Sequence, residues 1–182
     1  MTESSLKAGS STWWPLLGVG GVLLIVTWGG YALADVTEAA PMTIAPGVEI
    51  QLAEGWELSS STEDPPGAVL VAGSGYLYVA VVESQQFGLE LLSSYVEGPL
   101  GEGATSFAVS PPTELPPWGE SVSAVRASYT GRWEGLWFPI EGEVTVVSYQ
   151  GLSVLYDGWA DQGQYDIVRN DIDAMMTAAA VP

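Results

Sequence analysis

Residues 142–182 read GEVTVVSYQGLSVLYDGWADQGQYDIVRNDIDAMMTAAAVP, and this stretch decides the fold. Two runs rich in β-branched and aromatic residues, 142–149 and 152–159, flank Gln150-Gly151, a two-residue turn with glycine where positive φ is needed. They predict an antiparallel hairpin. The apolar period then changes from two to 3.6: Tyr165, Val168, Ile172, Met175, Met176 and Ala179 form one stripe, opposite Asp166, Arg169, Asp171 and Asp173. That pattern predicts a closing helix over 162–179, with Asp161 as its N-cap and Gln164 three residues on. A hairpin feeding an amphipathic helix implies a helix packed on a sheet.

Upstream segments extend the sheet. Residues 121–129 read as a further strand, and 48–52 (VEIQL) alternate as a half-buried one. Glu54-Gly55-Trp56 turns into a second short strand, and Glu63-Asp64-Pro65-Pro66-Gly67 reads as a surface loop. Residues 68–72 and 76–82 surround Gly73-Ser74-Gly75 as a hairpin, and 76–82 are apolar on both faces, which predicts a central strand. Leu89, Leu92 and Val96 have helical spacing, so 88–96 read as a short helix lying on the sheet; 97–120, rich in Gly and Pro, read as irregular. The expected class is α+β, an antiparallel β-sheet packed with helices and preceded by a single transmembrane helix.

That helix is read from residues 13–34, WWPLLGVGGVLLIVTWGGYALA, 22 residues in which Tyr31 is the one ionisable side chain. At about 1.5 Å per residue the run reaches roughly 33 Å, enough for a hydrocarbon core of about 30 Å. Trp13 and Trp14 at one end and Trp28 and Tyr31 at the other fit the two membrane interfaces. Gly18, Gly20 and Gly21 permit close approach of a neighbouring helix. Two readings compete: an uncleaved signal anchor, and a secretory signal cleaved after Ala32-Leu33-Ala34. The length favours the anchor. Lys7 before the run, with Asp35 and Glu38 after it, favours a cytoplasmic N-terminus. The expected organisation is a cytoplasmic tail (1–12), a signal anchor in the cell membrane (13–34), a linker (35–46) and one extracytoplasmic domain (47–182).

Composition excludes several chemistries. The chain has no Cys and no His, which removes disulfides, thiol catalysis, acyl-thioether lipidation, the Ser-His-Asp triad and His- or Cys-ligated metal. Its 22 acids against 4 bases give a net charge of −18, which repels nucleic acid and anionic headgroups. Eight Trp and eight Tyr supply ample core material, so the acidity is not disorder; it reads as a solvated surface, with a cationic partner, divalent cations or a salty environment as the alternatives.

The arrangement resembles a known family. A hydrophobic N-terminal segment, a first strand leading into Gly55-Trp56, a short Leu-rich helix after the strands, a strand ending Tyr129-x-Gly131 and the terminal YDIVRNDIDAMMTAAAVP helix are similar to small actinobacterial cell-envelope proteins of the PsbP-like fold, the LpqN type among them. The resemblance covers roughly 47–182. It implies an α/β/α sandwich around an antiparallel sheet, and non-catalytic accessory or ligand-carrying roles in envelope or membrane complexes. Lipoprotein members carry a lipidated Cys, which this chain lacks, so attachment must come from residues 13–34.

Two constellations bear on chemistry. In GRWEGLWFP (131–139), Arg132, Trp133, Trp137 and Phe138 lie on a connection flanked by Gly and Pro. An exposed ring there suits a protein partner, a lipid or a glycan; rings folded inward would instead cap the end of the sheet. Glu141 and Glu143 share one strand face, and Asp157, Asp161 and Asp166 run from the last strand into the helix. A general acid–base pair needs two carboxylates across one cleft, and a calcium loop needs converging oxygens; Asp171-Ile172-Asp173 on a helix supplies neither. No cofactor or metal site is assigned. The expected function is a non-catalytic binding or accessory module, such as a subunit of a larger membrane complex. The alternatives are a carrier with an apolar pocket lined by Leu89, Leu92 and the 165–176 stripe, and a carboxylate-dependent hydrolase.

Overall fold

A computed structural model describes residues 41–83 and 88–181. The tail, the anchor run with its aromatic ends and glycines, and most of the linker lie outside the described residues. Among those described, no helix is long and apolar enough to cross a membrane.

The strands are β1 (Met42–Ala45), β2 (Val48–Ile50), β3 (Glu57–Glu63), β4 (Pro66–Ala72), β5 (Gly75–Val82), β6 (Ala104–Val109), β7 (Thr113–Leu115), β8 (Ser123–Trp133), β9 (Ile140–Ser148) and β10 (Ser153–Asp161). Helix α1 (Gly88–Tyr95) runs on into a π-helical turn at Val96–Leu100, and α2 (Tyr165–Ala178) closes the domain. Strands β3-β4-β5-β10-β9-β8-β6 form one antiparallel sheet, with β7 beside β6 along the same edge of β8. Two meanders, β3-β4-β5 and β8-β9-β10, therefore meet at the β5–β10 pair. The crossover between them carries α1 over one face. After β10 the chain has no free neighbour to pair with, and α2 packs on the other face.

Alternation along each strand builds two cores. Val154, Tyr156 and Ala160 of β10 face α2 with Val168, Ile172, Met175 and Met176, whereas Leu155 and Trp159 face α1 with Leu91 and Leu92. Full burial of a side chain such as Ile172 or Leu92 contributes about 1.5–3 kcal/mol. Both faces of β9 and β10 are covered almost throughout, and β5 is central as its apolar pattern requires. The hairpin β1–β2 is a separate two-stranded sheet that adds Ala45, Val48 and Ile50 to the α2-side core.

Several expectations need correction. The stretch 97–120 is not irregular throughout, since β6 and β7 cover the edge of β8. Glu63-Asp64-Pro65-Pro66-Gly67 is a tight hairpin turn at Asp64-Pro65, with Glu63 paired to Pro66. Leu89 is exposed and Leu91 is buried in its place, because α1 is rotated relative to the assumed stripe. Helix α2 begins at Tyr165, and its N-terminal cap comes from elsewhere in the chain.

Candidate functional site

Three places bring polar or exposed groups together. The first lies on the α2 face, where Arg126 and Ser128 of β8, Glu143 of β9 and Arg169 of α2 converge. Arg169 Nη2 donates to Glu143 Oε1 at 2.9 Å, Ser128 Oγ donates to the same oxygen at 3.0 Å, and Arg126 Nη1 lies 3.2 Å from Oε2. Arg126 also donates to Thr145 Oγ1 at 2.9 Å and to Asp173 Oδ1 at 2.7 Å, tying the middle of β8 to α2. Two residues along β9, Glu141 Oε1 accepts from the backbone N–H of Gly163 and Tyr165, at 2.7 and 3.2 Å. Glu141 is thus the anionic cap of α2, the role the sequence reading gives to Asp161, whose contribution to this turn is its backbone carbonyl. Beside this network, where α2 leaves the outer strands uncovered, Ala108, Ser128, Thr130, Glu141, Asp166 and Arg169 border an open groove of about 470 Å³.

The second place is sealed on the α1 face. Asp157 of β10 has 0% exposure, and its two carboxylate oxygens each accept a 2.7 Å hydrogen bond, from Tyr95 of α1 and Tyr129 of β8. Burial pushes the Asp157 carboxyl up to about 6, against the lowering effect of the two hydroxyls. The same burial, with Asp157 alongside, drives both tyrosines well above their ordinary value, so they remain donors. Gly142 makes room for this arrangement: a Cβ there would come within 2.8 Å of the Tyr129 hydroxyl and would strike the Gly158 carbonyl.

The third place is the connection from β8 to β9. Strand β8 continues to Trp133, which is 3% exposed and donates from Nε1 to the Leu100 carbonyl at 2.9 Å, with Phe107 and Tyr129 edge-on around it. Beyond it the chain turns outward. Trp137 is 94% exposed and Phe138 40%, and Arg132 is exposed on the end of β8. Backbone bonds hold the tip at both ends, Glu134 N–H to Gly103 and Gln162 N–H to Pro139.

The structure therefore splits the aromatic group proposed as one surface. Trp137, Phe138 and Arg132 lie outside, and Trp133 must be removed from the surface set because its ring fills the α1-side core. Glu141 and Glu143 do share a face, but one caps a helix and the other is clamped by two arginines. Asp157 is sealed under the opposite face and stands apart from Asp161 and Asp166. Leu92 and the 165–176 stripe lie on opposite sides of the sheet, so they line no common pocket. No group of three or more potential metal ligands occurs among the described residues. The Tyr95–Asp157–Tyr129 arrangement was missed, although a signal existed: Asp157 stands between Leu155 and Trp159 on an apolar strand face.

No protein-family model matches the chain. No curated protein matches it either. Solved structures do. The cyanobacterial PsbP protein CyanoP from Synechocystis sp. PCC 6803 superposes with a TM-score of 0.58 at 12% identity, over 85% of this chain and 98% of that one. LpqN of Mycobacterium tuberculosis, described as involved in cell envelope biogenesis, gives 0.50 at 12% identity, over 79% of this chain and 90% of its own. The likeness is one of architecture, and the fold of this chain is PsbP-like: one antiparallel sheet with helices on both faces.

Proposed function

We propose that the chain is a non-catalytic single-pass membrane protein of the cell envelope, anchored by residues 13–34, whose extracytoplasmic domain is an accessory module for a larger membrane complex. The observation that carries the reading is Trp137, a large apolar ring held 94% exposed on a tip whose backbone is pinned at both ends. Exposed Trp on a fixed support is the residue type that dominates binding energy at protein interfaces. The envelope placement draws on the apolar run at 13–34 and on the fold shared with LpqN.

The test uses the full chain carrying Trp137→Ala and Phe138→Ala, recovered from native membranes in mild detergent. Its thermal unfolding should stay within about 0.5 kcal/mol of the parent, since both side chains are at the surface. Its complex should dissociate on native gels. An unchanged complex would place the docking surface elsewhere. The mass of the recovered chain separates an intact anchor from cleavage after Ala34.

A further inference from the structure

From the charges around the 134–139 tip we infer what it docks: a protein whose apolar pocket for Trp137 is rimmed by lysine and arginine. The inference rests on the docking role proposed above and adds the chemistry of the partner. Glu102 and Glu134 flank the tip on one side, brought together by the Glu134–Gly103 backbone bond. Asp161 flanks it on the other, where Gln162 donates to Pro139 and Asp161 pairs with Ile140, and Asp166 follows in the first turn of α2. Glu102, Glu134 and Asp166 are exposed, Asp161 is half-buried, and none of the four has an ion-pair partner among the described residues.

Two of the domain's three arginines are engaged elsewhere. Arg126 is held by Glu143 and Asp173, and Arg169 by Glu143. Arg132 alone adds positive charge at this end. The result is an apolar centre beside more acidic than basic charge, four carboxylates against one arginine. An anionic lipid surface or an acidic protein meets net like charge at this end. A basic rim instead gains in encounter rate and orientation, and an arginine can stack on the indole face.

The tip also lies at the end of the domain remote from where the chain enters it. Glu49 pairs with Thr43 of β1 and with Ala180, so the chain joins the domain beside the C-terminal end of α2. The tip lies beside its N-terminal end. A helix of 14 residues separates the two by about 21 Å.

A zero-length carbodiimide cross-linker, which joins carboxylates to amines in direct contact, reads this chemistry on the full chain in native membranes. Links should join Glu102, Glu134, Asp161 or Asp166 to partner lysines. Their yield should fall at least fivefold in Trp137→Ala, and fall likewise between 50 and 500 mM salt. Gln replacement of Glu49, Glu57 and Glu63, far from the tip, should leave that yield unchanged. Two results overturn the inference: links confined to carboxylates away from the tip, or a tip complex indifferent to salt and to Glu102→Gln, Glu134→Gln, Asp161→Asn. If Trp137→Ala still dissociates the complex in that case, the docking role stands and the basic rim alone is wrong.

Discussion

On the α1 face of the sheet Asp157 is held by two tyrosine hydroxyls, and on the α2 face Glu143 is held by two arginines and a serine. The two carboxylates stand close together: Asp157 pairs with Val144 and Glu143 with Gly158 on the same pair of strands, side chains pointing opposite ways. The α2 face supplies opposite charge, which offsets desolvation through Coulomb attraction. The α1 face supplies only dipoles, and there burial wins and raises the carboxyl to about 6. Similar depth, with different partners, yields one carboxylate fixed by ion pairs and one that titrates within reach of ordinary pH.

The comparison breaks hardest at Arg126. Arg126→Ala leaves Glu143 with Arg169 and Ser128 only and strips the Asp173 carboxylate and the Thr145 hydroxyl of their arginine, so equilibrium urea unfolding should show a loss of about 4 kcal/mol. Removing Glu143 as well should restore part of it, which a double-mutant cycle would quantify. If Arg126→Ala costs no more than a surface substitution, the two faces do not differ as described.

Asp157 sharpens the other side. A carboxyl raised from 3.8 to about 6 binds its proton more tightly folded than unfolded, so its contribution is greatest below pH 3.8 and is lost as pH rises to 6. At about 1.4 kcal/mol per pH unit the loss amounts to about 3 kcal/mol. Asp157→Asn should flatten stability against pH across that window, and an unchanged slope would assign the titration to another group. The smallest effect is expected from Tyr95→Phe, which removes one of the two donors. It should cost about 1–2 kcal/mol at pH 7, less at pH 4, and move the Asp157 titration further upward.

Much of this architecture was legible in periodicity. Strands β5, β9 and β10 and the helix α2 carry strong period-two or 3.6 patterns, and the Gln150-Gly151 turn announces its hairpin. Strands β6 and β7 were not legible, because they are short, lie among Gly and Pro, and owe their conformation to pairing with β8. The cap of α2 escaped for a related reason: capping rules look at local sequence, whereas Glu141 arrives from a neighbouring strand. Trp133 and Trp137 look alike in GRWEGLWFP. What separates them is that β8 runs four residues past its expected end, taking Trp133 into the core and leaving Trp137 beyond it.

The pairing of Glu49 with both Thr43 and Ala180 has a mechanical meaning. Tension applied through the linker at Pro41 loads β1–β2 and the two 2.9 Å backbone bonds between Glu49 and Ala180 first. None of these is hydrogen-bonded to the large sheet. Under such a load the hairpin would yield first, at the cost of the Ala45, Val48 and Ile50 contacts, ahead of the eight-stranded sheet. A domain anchored and docked as proposed above would give way at its attachment before it gave way at its docking tip.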